Sequence, residues 1–174
     1  MVNIECGLMS GMGYVSGLEV STQEFPLQLD EIKTYYLENT KFVLLATIGK
    51  KLVGYVLLSF DRKEGAAYID RIGVHQDYRR KGVATVLAVR ADEFARKEKI
   101  RKLRMLVPSY QIEDHEDPWN IEHWLWRVNF KAVGVSEEPC ERYGQEYDYY
   151  IFERMSNGPD SEAAERHASG SRRG

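Results

Sequence analysis

Residues 67–95 read AYIDRIGVHQDYRRKGVATVLAVRADEFA and contain the segment that decides the fold. Residues 67–74 have the character of a strand, and residues 83–95 repeat apolar side chains at helical spacing, so the basic turn YRRKGVA at 78–84 joins a strand to the head of a helix. A helix N-terminus leaves its first backbone N–H groups without intrahelical partners, and its macrodipole makes that end positive. Because Gly82 allows close approach to this backbone, the turn is typical of a phosphate or pyrophosphate site.

The composition indicates one ordinary globular domain. The 174 residues are 43% hydrophobic and carry a net charge of -3, which does not favour a nucleic-acid partner. No apolar run approaches the roughly 20 residues that span a bilayer, and residues 1–17 do not resemble a signal peptide. The cysteines, Cys6 and Cys140, lack metal-ligand spacing. We therefore expect a cytoplasmic protein that binds neither nucleic acid, membrane nor metal.

Hydrophobic periodicity predicts an alternation of strands and helices. Strands are expected at residues 18–22, 41–48, 52–60, 67–74, 101–107, 130–135 and 147–155, and helices at 26–38, 82–95 and 118–128. The strands between residues 41 and 74 form an antiparallel meander, and the helix that follows them favours parallel pairing with the strand at 101–107. We expect a loosely ordered arm over residues 1–17, a domain over 18–155 and a disordered polar tail over 156–174.

The turn and the element order together resemble a known family. RRKGVA at residues 79–84 fits the pyrophosphate-binding signature of the GNAT family of N-acetyltransferases, which is Gln or Arg, two residues, Gly, any residue, then Gly or Ala. The resemblance covers about residues 18–155 and implies an α/β (α+β) fold. In that fold a mixed, mostly antiparallel twisted sheet is flanked by helices, and a splayed strand pair holds coenzyme A. It implies acetyl transfer from acetyl coenzyme A, as cosubstrate, to a primary amine.

The resemblance also implies which residues hold the cofactor. Basic side chains and backbone amides of the turn would bind the pyrophosphate, the strand before it would bind the thioester carbonyl and the pantetheine arm through its backbone, and an asparagine of the next helix would contact the same arm. The residues of the turn are Arg79, Arg80, Lys81, Gly82, Val83, Ala84 and Thr85. Those of the strand are Ile72, Gly73 and Val74, and the asparagine is Asn120.

Asp70 and Tyr68 are the candidate catalytic residues. Strand alternation predicts that residues 68, 70, 72 and 74 share one face. Some family members carry a glutamate at the position that matches Tyr68 or Asp70. Asp70 could therefore accept the amine proton directly or through water, while Tyr68 could orient that water or the substrate. Structural roles stay open for both: an ion pair for Asp70 and packing for Tyr68.

Two positions depart from the family pattern. The base glutamate of ribosomal-protein acetyltransferases falls on Leu106, and the tyrosine that protonates the thiolate in many members falls on Leu125. Tyr110, His115 and His123 are alternative proton donors. These departures leave open a catalytically silent module that binds coenzyme A as a sensor or interaction domain. The strand-turn-helix segment alone would also allow a phosphate-binding domain of unrelated fold.

The acceptor is expected to be cationic. Residues 113–117 form a loop with four acidic side chains, which would attract a protein N-terminus, a lysine or a small amine. Residues 68–74 and 78–80 are most similar to the protein N-terminal acetyltransferase branch. The tryptophans Trp119, Trp124 and Trp126 are expected in the core or in the acceptor wall. The sequence is compatible with a monomer or a homodimer.

Overall fold

A mixed β-sheet forms the centre of the protein in a computed structural model that describes residues 5–8, 41–112, 121–136, 140–142 and 144–155. Within these residues the chain forms nine strands and two α-helices. In chain order they are β1 (Glu5–Leu8), β2 (Lys41–Ile48), β3 (Lys51–Asp61), β4 (Ala66–Val74), α1 (Val83–Lys97), β5 (Lys102–Pro108), α2 (Ile121–Arg127), β6 (Lys131–Val135), β7 (Cys140–Arg142), β8 (Gln145–Tyr147) and β9 (Tyr149–Met155). Short 3-10 turns follow β4 at Gln76–Tyr78 and β5 at Ser109–Gln111.

Seven of the described strands form one sheet in the order β1-β2-β3-β4-β5-β9-β6, and β7 pairs with β8 in a separate hairpin. β2, β3 and β4 are the predicted antiparallel meander. β4 and β5 run parallel, because α1 carries the chain back along the sheet between them. The predicted mixed, mostly antiparallel sheet is thus confirmed.

β4 and β5 separate about halfway along β4. Their pairing covers residues 66–69 of β4 and 102–105 of β5. Beyond it, among the described strands, residues 71–74 of β4 pair only with β3, and residues 106–108 of β5 pair only with β9. Backbone N–H and C=O groups on the two facing edges are therefore not used by a neighbouring strand. This opening, called the splay below, is the splayed strand pair that the family resemblance predicts.

A β-bulge changes which side chains of β4 share a face. The register with β3 skips Asp70, which is the extra residue of the bulge. An extra residue shifts the strand alternation by one position. Ile72 and Val74 consequently pack against the core that contains Ile69, whereas Tyr68 and Asp70 lie outside that core. The prediction of one common face for residues 68, 70, 72 and 74 is wrong for this reason.

α1 packs closely on one face of the sheet. Its buried side chains include Val83, Leu87 and Ala91. The helix start approaches β3 because Gly54 has no side chain: a Cβ at this position would lie 2.8 Å from Cγ1 of Val83 and 3.1 Å from the carbonyl oxygen of Gly73. This close approach determines where the basic turn meets the end of β4.

Some predicted bounds need correction. Residues 5–8, expected in a loosely ordered arm, form β1 and cover the outer edge of β2, where backbone groups would otherwise lack strand partners. The last strand begins at Tyr149, because residues 145–147 pair with β7 instead. The predicted strand at 18–22, helix at 26–38 and tail at 156–174 lie outside the described residues, and the domain bounds 18–155 stay a prediction. None of the helices in the described part of the chain has the length and apolar character that a membrane span requires.

Candidate functional site

A cavity of about 570 Å³ opens at the N-terminus of α1. One wall comes from the end of β4, the basic turn and the first residues of α1, and the other wall comes from α2. The lining residues are Val74, Tyr78, Arg79, Arg80, Gly82, Val83, Ala84, Thr85, His123, Trp124 and Arg127. The strand, turn and helix that the sequence singled out therefore do enclose a space of ligand size.

The backbone of the turn is shaped for close approach to the helix start. Gly82 has a φ of 86° in the left-handed region, and no atom lies within 4 Å of the position that its Cβ would occupy. Val86 N–H donates to the carbonyl oxygen of Gly82 at 3.0 Å. The N–H groups of residues 83–85 precede this first helical hydrogen bond, and Gly82 offers no side chain to cap them. The amides are thus available to an anion in the cavity.

The three cations of the turn have different roles. Arg79 lines the cavity, and its Nε donates to the carbonyl oxygen of Val74 at 3.2 Å, which ties the turn to the end of β4. Arg80 also lines the cavity and has a φ of 61°, uncommon for a residue with a side chain. Lys81 does not line it: its Nζ lies 5.3 Å from the ring centroid of Tyr78. The cavity wall is therefore cationic through the two arginines.

Not every predicted cofactor residue reaches the cavity. Residues 79, 80 and 82–85 line it together with Val74, whereas Ile72 and Gly73 lie behind it in β4. Ile72 packs against the core, and Gly73 lies against the buried ring of Tyr55. Asn120 lies outside the described residues.

The α2 wall brings in side chains that the sequence did not assign to the cofactor site. The indole Nε1 of Trp124 donates to Oγ1 of Thr85 at 3.3 Å, which joins α2 to the first turn of α1. His123 and Arg127 line the cavity from the same helix. Their i, i+4 spacing is a signal for one helix face. The spacing does not show that this face meets the start of α1, because that contact depends on how the two helices pack.

Tyr68 and Asp70 lie apart from this cavity, near the point where β4 and β5 separate. The Tyr68 hydroxyl donates to Oε2 of Glu64 at 2.9 Å and accepts from Nη1 of Arg104 at 3.0 Å. Burial raises the pKa of Tyr68 above its usual value, the Arg104 hydrogen bond opposes this, and Glu64 adds to it. Oδ1 of the exposed Asp70 accepts from the Ser59 hydroxyl at 2.9 Å. Tyr68 is not part of the core cluster that includes the buried side chains of α1.

The two alternative proton donors within the described residues, Tyr110 and His123, each contact an aromatic ring. Leu125, at the position of the family's tyrosine, is fully buried in the core and has no proton to donate. The ring of Tyr110 packs against Tyr147 at 4.8 Å between centroids. His123 lies against Trp126 at 5.9 Å and lines the cavity. His115, Trp119 and the acidic loop at 113–117 lie outside the described residues. In the part of the chain that is described, no three His, Cys, Asp or Glu side chains are grouped to hold a metal ion.

Comparison with known families identifies the chain. The family model described as "Acetyltransferase (GNAT) family" matches residues 16–117, which is more than half of the sequence. The chain belongs to the GNAT acetyltransferase family. As a GNAT member it is an acyltransferase whose acetyl donor is acetyl coenzyme A. No curated protein sequence is detectably similar to it.

Solved GNAT structures share the fold at low sequence identity. The ribosomal-protein-S18-alanine N-acetyltransferase from Escherichia coli is 12% identical, with a TM-score of 0.64 and coverage of 91% of this chain and 97% of that one. Arabidopsis thaliana NAA60, in complex with a bisubstrate analogue, is 17% identical, with a TM-score of 0.63 and coverage of 90% and 99%. A GNAT acetyltransferase from Elizabethkingia anophelis with acetyl-CoA bound is 14% identical, with a TM-score of 0.60 and coverage of 88% and 98%. Identities this low show the common GNAT fold.

The cavity of this GNAT chain fits coenzyme A. The cofactor carries a pyrophosphate, and the cavity combines an uncapped helix start, an open glycine position and the guanidinium groups of Arg79 and Arg80. Arg127 adds a third cation from the opposite wall. These groups match a polyanionic ligand in charge and hydrogen-bonding type.

Proposed function

We propose that the protein N-acetylates a cationic primary amine, with the α1 turn as the cofactor site and the Tyr68–Asp70 region as the acceptor site. The observation that carries the proposal is the splay. The anion-binding turn follows the far end of β4, and a phenol and a carboxylate stand near the point where β4 leaves β5. An acetyl donor anchored at the turn and laid along the open edge of β4 would bring its reactive end toward these side chains.

The cavity supports part of the cofactor assignments. Arg79, Arg80 and the amides of residues 82–85 would bind the pyrophosphate, and Lys81 would add positive charge from the edge of the site. Ile72, Gly73 and Val74 would contribute backbone groups of the open β4 edge rather than side chains. Asn120 remains a candidate contact to the pantetheine arm on the basis of sequence alone. When bound, the cofactor supplies an activated acetyl thioester.

The chain's own groups cover the remaining chemical needs of the reaction. Backbone N–H groups on the open edge of β4 are donors for a carbonyl oxygen that gains negative charge, which a main-chain group can do whatever its side chain. The exposed carboxylate of Asp70, fixed by Ser59, would attract a cationic amine or accept its proton. Tyr68 would bind the amine and take part in its deprotonation.

The name of one structural relative supports a protein amine as the acceptor. It is the ribosomal-protein-S18-alanine N-acetyltransferase from Escherichia coli. The four acidic side chains at residues 113–117 are consistent with a cationic acceptor. A peptide α-amine is therefore the first acceptor to test, before lysine and small amines.

Thiol release from acetyl coenzyme A, measured against a panel of peptides and amines, tests the proposal. We expect turnover with at least one panel member, loss of turnover and of coenzyme A binding in Gly82→Trp, and loss of turnover with cofactor binding intact in Asp70→Asn. Tight coenzyme A binding with no turnover across the panel would instead support the silent binding module. Asp70→Asn with wild-type turnover would remove Asp70 from the proposed site.

A further inference from the structure

A hydrogen-bonded network surrounds Tyr68 on the face of the sheet opposite the α1 core. Besides its bond to the Tyr68 hydroxyl, Nη1 of Arg104 donates to Oε2 of Glu64 at 2.6 Å, and Nε of Arg104 donates to Oε2 of Glu153 at 2.8 Å. Glu64 comes from the β3–β4 turn, Arg104 from β5 and Glu153 from β9. The phenol is therefore held between a carboxylate that accepts its hydrogen bond and a guanidinium that donates to its oxygen.

The network lies at the mouth of the splay. Tyr68 is paired with Arg104, and the next pair, Ile69 with Met105, is the last before β4 and β5 separate. The Tyr68 oxygen is thus anchored one residue away from the opening in which acetyl transfer is proposed to occur. Its orientation is set by two charged partners rather than by packing alone.

We propose that Glu64 is the terminal proton acceptor of the transfer reaction and that Tyr68 relays the proton to it. This inference rests on the function proposed above. The cationic amine first loses one proton to water. As its neutral nitrogen forms a bond to the acetyl carbon, the C–S bond of the thioester breaks and coenzyme A leaves as the thiolate, which takes a proton from water. The second N–H proton passes to the Tyr68 oxygen, and the Tyr68 O–H proton passes to the Glu64 carboxylate. The phenol ends neutral, as it began, and Glu64 releases the proton to water.

Hydrogen bonding favours Glu64 over Asp70 as the end of the relay. The Glu64 side chain is 53% exposed, so it can exchange a proton with solvent after each turnover. Asp70 receives its hydrogen bond from Ser59, and the Tyr68 hydroxyl donates to Glu64. Glu64 is thus the carboxylate in contact with the phenol, and Asp70 would attract the cationic amine by its charge.

Arg104 is the positioning residue of the relay. Its side chain is 20% exposed and is fixed by Glu153, whose side chain is 14% exposed. Its bonds to Glu64 and Tyr68 hold the carboxylate beside the phenol and orient the phenolic oxygen. The Arg104–Glu64 pair, in which the Glu64 side chain is 53% exposed, is too exposed to contribute much to stability, so we do not assign Glu64 a mainly structural role.

Steady-state kinetics of Glu64→Gln, Tyr68→Phe and the double variant test the relay. We expect each single variant to lower kcat by about 100-fold, which is the lower range for general acid–base catalysis, and the double variant to lose no more than either single one. Glu93→Gln is the matched control, since Glu93 also pairs with an arginine, Arg90, but on α1. The melting temperature of each variant shows whether the fold is intact.

The pH profile distinguishes a relay from a structural role. At neutral pH the phenol is protonated, because its pKa is raised mainly by burial, and without Glu64 only its ionised form can take a proton. The ratio of wild-type to Glu64→Gln activity should therefore shrink as the pH rises toward the pKa of Tyr68, which lies above the usual tyrosine value of about 10. Among the described residues, the charged groups around Tyr68 are Glu64 from the turn, Arg104 from β5, Glu153 from β9 and Asp70 on the same strand.

Three results would overturn the inference. Glu64→Gln with the kcat of Glu93→Gln would exclude Glu64 as an acceptor, and additive losses in the double variant would separate Tyr68 from Glu64. A loss that does not change with pH would assign the network a structural role. If the wild type turns over no amine at all, the proposed function itself fails and the relay with it, whereas wild-type turnover with any of the three results refutes the relay alone.

Discussion

Replacing Gly82 with alanine separates the strain of the turn from its role in binding. The residue has a φ of 86°, where an L side chain costs roughly 1–2 kcal/mol. No atom lies within 4 Å of the new Cβ, so the packing of the protein itself adds no clash. We therefore expect Gly82→Ala to lower the free energy of unfolding of the cofactor-free protein by about 1–2 kcal/mol in urea titrations.

The same change should weaken coenzyme A binding by a separate amount. If the altered turn loses one hydrogen bond between a backbone amide and a phosphate, the loss is about 1.5–3 kcal/mol, or roughly a 10- to 150-fold rise in Kd. Isothermal titration with coenzyme A measures this. Gly144→Ala is the matched control, because Gly144 has a φ of 73° and open space around its Cβ position but lies in the β7–β8 turn. The account is refuted if both variants lose similar stability and Gly82→Ala still binds coenzyme A as tightly as Gly144→Ala.

Other substitutions test the packing and charge of the site. Gly54→Val should destabilise the fold by about 1–3 kcal/mol in urea titrations, because its Cβ would lie 2.8 Å from Cγ1 of Val83; unchanged stability would mean that α1 does not pack as described. Arg127→Gln should raise the KM for acetyl coenzyme A several-fold, more at low than at high salt, and an unchanged KM would remove Arg127 from the cofactor site. Asp92→Asn should lower the free energy of unfolding by about 3–5 kcal/mol, since the buried Asp92 carboxylate lies 3.3 Å from Nη2 of Arg154; a loss below 1 kcal/mol would contradict this.

Local patterns were enough to predict the strand, turn and helix around the cofactor cavity. The continuous apolar runs of β2 and β3, the short turn between them and the apolar face of α1 are each encoded within a few residues. The parallel pairing of β4 and β5 also followed, because a strand, a helix and a strand in sequence strongly favour it. Once the turn is placed at the start of a helix, its backbone must present unpaired N–H groups next to the arginines.

Features that depend on pairing between distant residues could not be predicted. The bulge at Asp70 arises from the register of β4 against β3, and nothing in the sequence of β4 itself marks an extra residue. Lys81 lies in the signature but packs over Tyr78. Trp124 reaches Thr85 only because α2 packs beside the start of α1. The contact of Tyr68 with Arg104 likewise depends on the strand register.

Mass spectrometry of peptides incubated with the protein and acetyl coenzyme A tests the central claim most directly. Free coenzyme A is measured in the same reaction, and Gly82→Trp is the negative control. The account predicts that one acetyl group appears on a peptide amine for each molecule of free coenzyme A, and that the control forms neither product. Release of coenzyme A without an acetylated amine, or acetylated peptide that forms equally in the control, would contradict it.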